Sequence, residues 1–237
     1  MTLQNKVVLV TGGTGDLGRV VTEAFCRAGA KTTTTYIYER EVGVLERETR
    51  ALKNRPGTVK CDVTKEREVR RAVRDVARGH GRLDILVCLV GGYLGGPPVA
   101  ETSERDWDCM LDLNLKSAFL ACKAAAPLMA RQRSGRIVCV SSRAGLRGEA
   151  GAAAYSAAKA GVLRLVETLA EELKGAGVTV NAVCPSILDT PANRRVMPDA
   201  DFSAWVKPGE VAEAILFLAG DSAKSVSGAA IPVYGRA

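Results

Sequence analysis

The chain has 237 residues, 47% apolar and 25% charged, the balance of a globular protein with a full core in one large α/β domain or two small ones. Its net charge of +7 comes from Lys and Arg scattered among acids, as in Glu46-Arg47-Glu48 and Lys65-Glu66-Arg67-Glu68. That pattern reads as solvated helix faces, so no nucleic-acid partner is expected. Seven cysteines without a CxxC pair and a single histidine, His80, leave no expected metal site and no Ser-His-Asp triad. No apolar run reaches the ~18 residues of a membrane span, and no signal peptide precedes the first strand, so a cytoplasmic chain with no membrane partner is expected.

Val7-Val8-Leu9-Val10 is a continuous apolar run, the mark of a strand buried on both faces. The glycine-rich turn Thr11-Gly12-Gly13-Thr14-Gly15-Asp16-Leu17-Gly18 follows, then an amphipathic helix that Gly29 ends. Strand, glycine-rich turn and helix form a dinucleotide cradle. The glycines let the backbone approach a pyrophosphate, and the helix start aims free N–H groups at it. Gly12, Thr14, Gly15, Asp16, Leu17 and Gly18 are therefore candidate cofactor contacts.

A second strand, Lys31 to Tyr36, ends where an acid would hold a ribose 2′-hydroxyl and an arginine would accept a 2′-phosphate. Tyr36 is not an acid and Arg40 lies close by, which leans toward the phosphorylated cofactor. A helix from about Val42 to Lys53 and a short strand lead to Asp62-Val63, a candidate adenine contact or the N-cap of the helix Glu66 to Arg78. Ile85 to Val90 is the next strand; it ends in Gly91-Gly92, where a ligand lies close in a parallel sheet.

After a Gly/Pro loop, Glu104 to Ala130 reads as one long helix. Asn114 in its middle is unfavourable by propensity and hints at a kink with a role. Gly135 to Ser142 is a strand ending in two hydroxyls. In Tyr155-Ser156-Ala157-Ala158-Lys159, on an alanine-rich helix, phenol and ammonium share one face about one turn apart. A neighbouring ammonium is expected to favour the phenolate and so lower the pKa of Tyr155, making it a general acid/base. Val178 to Cys184 is a sixth strand, broken by Pro185; residues 186 to 207 are loop-rich and suit a substrate cover. A helix from Glu210 to Ala219 and an edge strand from Ala229 to Tyr234 close the chain. Seven strands alternating with helices imply a single domain over 1–237: a doubly wound, Rossmann-type, seven-stranded parallel sheet with helices on both faces.

Thr11-Gly12 through Gly18, Asp62, Asn114, Ser142, Tyr155 and Lys159, in that order and spacing, resemble the short-chain dehydrogenase/reductase family, most of all its bacterial 3-oxoacyl-carrier-protein reductase branch. The resemblance implies an NAD(P)(H) cofactor and a carbonyl or acyl-thioester substrate. It also implies a catalytic set of Asn114, Ser142, Tyr155 and Lys159. In that scheme Tyr155 exchanges a proton with the substrate oxygen and Ser142 hydrogen-bonds the same oxygen. Lys159 holds the nicotinamide ribose and tunes Tyr155, and Asn114 holds a water that connects Lys159 to solvent. Gly91, Pro185 and Thr190 join the cofactor contacts, Thr190 at the nicotinamide amide, and a homodimer or homotetramer forms through the helices around Asn114 and after Lys159.

The sequence departs from the family at four places: Asp16 for a glycine, Cys88-Leu89-Val90-Gly91 for Asn-Asn-Ala-Gly, Ser186 for a glycine, and Tyr234-Gly235-Arg236 for Asp-Gly-Gly. Asp16 would repel a pyrophosphate unless its side chain turns away, and the altered fourth strand puts sheet bracing in doubt. The stretch Leu188 to Trp205 looks like the matching segment of quinonoid dihydropteridine reductases, which makes a flat-ring substrate the alternative to a ketone. A non-catalytic dinucleotide sensor on the same fold is the third reading.

Overall fold

A computed structural model describes residues 2–236. Seven parallel strands form one sheet in the order β3-β2-β1-β4-β5-β6-β7: β1 Val7–Thr11, β2 Lys31–Tyr36, β3 Gly57–Lys60, β4 Ile85–Cys88, β5 Gly135–Val140, β6 Val178–Pro185 and β7 Ala230–Val233. The chain winds outward from β1 through β2 to β3, then crosses to β4 and winds the other way. The crevice beyond the carboxyl ends of β1 and β4 is thus the switch point where such sheets bind ligands.

Strand alternation divides the core in two. Val7 and Leu9 of β1, Leu86 and Cys88 of β4, and Val180, Ala182 and Cys184 of β6 point to one face. They meet α3 (Glu66–His80), α5 (Ser117–Gln132) and α7 (Ala153–Leu173). Val8, Val10, Ile85, Val87 and Val183 point the other way, onto α1 (Asp16–Arg27) and α9 (Pro208–Ala219). With both faces covered, every residue of β1, β4 and β6 is buried, which is why these strands read as continuous apolar runs.

Several boundaries differ from expectation. The second helix, α2, spans Glu39–Thr49 and not 42–53. The expected long helix is three pieces: α4 (Glu104–Leu111), a π-helical turn (Asp112–Lys116) and α5. The wide turn falls on Asn114, as the expected kink did, and such turns concentrate at functional positions. Pro185 does not break β6. Ala182 N donates toward β7 and Val183 O accepts from Ser141 on the β5 side, so alternation aims position 185 at the β5 side, where β5 has already ended. The missing N–H costs no ladder bond there, and β6 continues, pairing Pro185 with Val233. The expected edge strand β7 lies at the edge and carries Pro232. The span 186–207 is not all loop: it holds α8 (Pro191–Val196) and a 3₁₀ turn at Phe202–Ala204.

Candidate active site

The glycine-rich turn is built by close approach. Gly12 has φ +71°, a conformation L side chains rarely adopt, and its N–H donates to Thr35 Oγ1 at 2.9 Å. A Cβ on Gly18 would lie 2.1 Å from Gly12 O, so the first turn of α1 sits directly against the loop. Gly15 caps α1 with no side-chain hydrogen bond, which leaves the first N–H groups of the helix and its positive dipole end free for an anion. A Cβ on Gly15 would meet nothing closer than 3.6 Å. These features fit a dinucleotide pyrophosphate.

Asp16 is the first residue of α1 and its carboxylate turns along the helix, 3.2 Å from Arg19 Nη2. Arg19 also donates to Thr14 O at 3.1 Å and to Glu48 at 3.0 Å. The charge feared at the pyrophosphate position is neutralised by a neighbour one turn on. It does not cap the helix. Leu17 is half-buried against the α1–α9 core. Thr14 is buried, and its hydroxyl donates to Glu41 Oε2 at 2.7 Å, tying the turn to α2.

At the end of β2, Tyr36 has its pKa raised, first by desolvation and then by its hydrogen bond to Glu39. Arg40 is exposed and lies 5.3 Å from the Tyr38 ring. Asp62 accepts from the N–H and hydroxyl of Thr64 at 3.0 and 2.6 Å, and the latter bond leads the causes that lower its pKa. Its carboxylate therefore holds a turn ahead of α3, whose N-cap is Lys65. Val63 is buried in the core.

At the end of β4, the loss of the family's polar anchors is made good elsewhere. Leu89 N reaches Thr11 O and Oγ1 at 3.3 Å. Asn114 clamps Gly92 from both sides: Oδ1 accepts from Gly92 N at 3.1 Å and Nδ2 donates to Gly92 O at 3.0 Å. The π turn brings this amide, only 1% exposed, to the strand end. A Cβ on Gly91 would lie 2.6 Å from Asn114 Oδ1 and 3.0 Å from Lys159 Nζ. Gly91 is where these two side chains converge.

Ser141 and Ser142 follow β5 and separate cleanly. Ser141 is buried and donates to the Lys159 carbonyl at 2.8 Å, pinning α7 to the sheet. Ser142 caps the short α6 (Arg143–Leu146), accepting from Ala144 N at 3.2 Å, and its hydroxyl is the neighbour that draws the pKa of Tyr155 down. Ser142 is thus a neighbour of the Tyr155 phenol, whose ring lies under Lys159. Pro185 closes β6, and Thr190 caps α8, accepting from Asn193 N at 3.2 Å.

One sequence expectation fails. Tyr155 has its pKa raised, not lowered: desolvation is the largest cause, with Glu149 and Tyr93 adding to it and only Ser142 opposing. The reason is geometric. Lys159 Nζ donates to Val140 O at 3.1 Å and lies 5.6 Å from the centroid of the Tyr155 ring, over its face and not against its hydroxyl. Lys159 itself is 3% exposed, and burial pushes its pKa down to about 8. Tyr93, in the loop after β4, stands edge-on to Tyr155 with ring centroids 5.1 Å apart. Its place just after Gly91-Gly92 was the only available signal.

The segment after β6 is latched by ion pairs. Asp189, 7% exposed at its side chain, takes Arg194 Nε at 2.5 Å and the Lys207 ammonium, which lower its pKa strongly. Arg194 also lies 4.6 Å from the Phe202 ring. A groove of about 770 Å³ between α3 and α5 shares no residue with this constellation.

Glycine turn, clamped strand end, serine, tyrosine and lysine gather at the carboxyl end of one sheet. A family profile described as enoyl-(acyl carrier protein) reductase matches residues 14–235. The chain belongs to the short-chain dehydrogenase/reductase family. This dehydrogenase/reductase is 34% identical to a 3-oxoacyl-[acyl-carrier-protein] reductase of Thermotoga maritima, covering 99% of the chain and 98% of the relative. It is also 34% identical to the Thauera aromatica (2S)-[(R)-hydroxy(phenyl)methyl]succinyl-CoA dehydrogenase subunit BbsD, covering 99% and 97%. The solved structure of a short-chain dehydrogenase/reductase from Mycobacterium ulcerans superposes with a TM-score of 0.94 at 28% identity, covering 99% of the chain and 90% of that structure. The enzyme is therefore an oxidoreductase of carbonyl and alcohol substrates, and its family implies NAD(P)(H). Among the described residues no helix is long and apolar enough to cross a membrane.

Proposed function

We propose that this enzyme reduces a ketone, of the 3-oxoacyl-thioester kind, to the alcohol at the expense of NAD(P)H, with Tyr155 as the proton donor. The observation that carries the reading is the buried Lys159 ammonium held by Val140 O over the Tyr155 ring, 5.6 Å from its centroid, with the Ser142 hydroxyl as the phenol's neighbour. Two neighbouring O–H groups suit a single carbonyl oxygen, and this favours a ketone over the flat-ring substrate. The reduced nicotinamide, when bound, supplies the hydride. Gly12, Thr14, Gly15, Leu17 and Gly18 would hold the pyrophosphate, Asp62 and Val63 the adenine end, and Gly91, Pro185 and Thr190 the nicotinamide end. Asp16 serves only to neutralise Arg19.

A raised pKa keeps Tyr155 protonated at neutral pH, the form a donor needs. Ser142 hydrogen-bonds the same oxygen and stabilises the charge that grows there. Lys159, between Asn114 and Val140, orients the cofactor ribose, and its pKa of about 8 lets it pass a proton back to Tyr155. Asn114 holds the strand end and Lys159 in register while opening a path for water. The printed names of the curated relatives, an acyl-carrier-protein reductase and a CoA dehydrogenase, support a thioester. The screen that tests this follows NADH and NADPH oxidation with acetoacetyl thioesters, simple diketones and quinonoid dihydropterin. Turnover is expected with the first two; turnover with the pterin alone, or dinucleotide binding without any turnover, overturns the reading.

The preferred cofactor is the phosphorylated one, with Arg40 as the 2′-phosphate contact. Arg40 is exposed at the right strand end, and Tyr36 supplies no carboxylate for a free ribose hydroxyl. Glu41 stands nearby, but it already accepts a hydrogen bond from Thr14. Arg40→Ala should raise KM for NADPH about tenfold, the order of one charge-assisted phosphate contact, and leave KM for NADH unchanged. Equal effects on both cofactors would remove Arg40 from this role.

The functional unit is a dimer or tetramer. Trp107 on α4 and Phe119 on α5 are 39% and 43% exposed on the helices expected to pair subunits, and apolar side chains on such a face call for a cover. Sedimentation should give twice or four times the 25.0 kDa chain mass, and Phe119→Glu should shift it toward the monomer.

A further inference from the structure

Beneath the site, three thiols from three elements converge. Cys88 ends β4, Cys139 lies on β5, and Cys122 lies on α5. Their sulfurs all fall within 4.8 Å of one another, and Cys122 Sγ and Cys139 Sγ are 3.9 Å apart. All three are buried and none is in a disulfide. The sequence hides the cluster, because no two of these cysteines belong to the same strand or helix.

We propose that Cys88, Cys122 and Cys139 form a trigonal thiolate site for one soft, thiophilic ion, with copper(I) as its cognate class. Three sulfurs in a plane around an ion at the ~2.3 Å of metal–thiolate bonds stand ~4.0 Å apart. The Cys122–Cys139 separation already has that value, and the third sulfur needs to move by less than about an ångström. Sulfur-only ligation selects soft ions over magnesium, calcium or manganese. Among the described residues no further Cys, His or carboxylate joins the group, so the fourth ligand that structural zinc takes is missing. Displacement of three thiol protons by one monovalent ion leaves two negative charges. The Lys159 ammonium acts on Cys139 electrostatically and offsets one of them.

The test uses the reduced full-length chain carrying Cys109→Ser, since Cys109 is the exposed cysteine. It is titrated anaerobically with copper(I) against bathocuproine disulfonate. One copper per chain is expected, with X-ray absorption showing only sulfur neighbours at about 2.3 Å. Cys122→Ala and Cys139→Ala in that background should each weaken copper binding by about tenfold or more. Cys184→Ala, a buried cysteine outside the cluster, should bind as before. Uptake well below one equivalent, nitrogen or oxygen neighbours, or equal loss in Cys184→Ala would each overturn the site. Should an alanine variant fail to fold, the stoichiometry and absorption spectrum of the Cys109→Ser chain still decide.

Discussion

Tyr155→Phe is expected to lower kcat for carbonyl reduction by about 10²–10⁴-fold, the usual contribution of a positioned general acid, with dinucleotide affinity unchanged. The substitution removes one hydroxyl and keeps the ring that stacks edge-on with Tyr93 and lies beneath Lys159. The packing of α7 is therefore preserved, and the loss reads proton donation alone. Ser142 keeps its hydroxyl and its place at the start of α6, so residual turnover above the uncatalysed rate should remain. The measurement pairs kcat with cofactor binding by fluorescence titration. Unchanged turnover would mean that another group donates the proton; a matching loss of cofactor binding would mean that the phenol is structural.

Lys159→Met has the second largest effect, and it separates two roles by pH. The ammonium is buried and its pKa falls from the ordinary 10.5 to about 8. Burial disfavours the charged form. The folded-state pKa lies below the unfolded one, so the contribution of Lys159 to stability is fully present above about pH 10.5 and is lost as pH falls through about 8. A shift of that size corresponds to ~3 kcal/mol at most. Relative to Lys159→Met, the wild-type chain should therefore gain up to that amount between pH 8 and 10.5, measured as urea midpoints of both proteins across the range. Parallel curves would show that Lys159 titrates normally. Reductive turnover of the variant should fall by about 10²-fold or more at all pH values, since ribose orientation and proton return to Tyr155 are lost together.

The parts of the fold that were legible came from periodicity and punctuation. Val7 to Val10 and Ile85 to Val90 announced buried strands because both faces of the sheet are covered, although the second ends at Cys88, and the glycine turn between Thr11 and Gly18 announced the cradle because only glycine tolerates those approaches. Spacing placed Tyr155 and Lys159 on one helix face, and propensity marked Asn114 as a kink that proved to be a π-helical turn. Pro185 misled because its cost depends on whether a neighbouring strand still runs beside it. That neighbour, β5, comes some 40 residues earlier in the chain.

The sequence by itself determined the succession of strands and helices and the place of the glycine-rich turn, since each rests on residues within a few positions of one another. Tertiary structure alone decided the sign of the Tyr155 shift, the harmless course of the Asp16 carboxylate, the clamp between Asn114 and Gly92, and the meeting of Cys88, Cys122 and Cys139. The physical reason is shared: desolvation, charge pairing and ligand convergence depend on distances through space, and no local pattern in a chain encodes which distant residues will surround a group once it is buried.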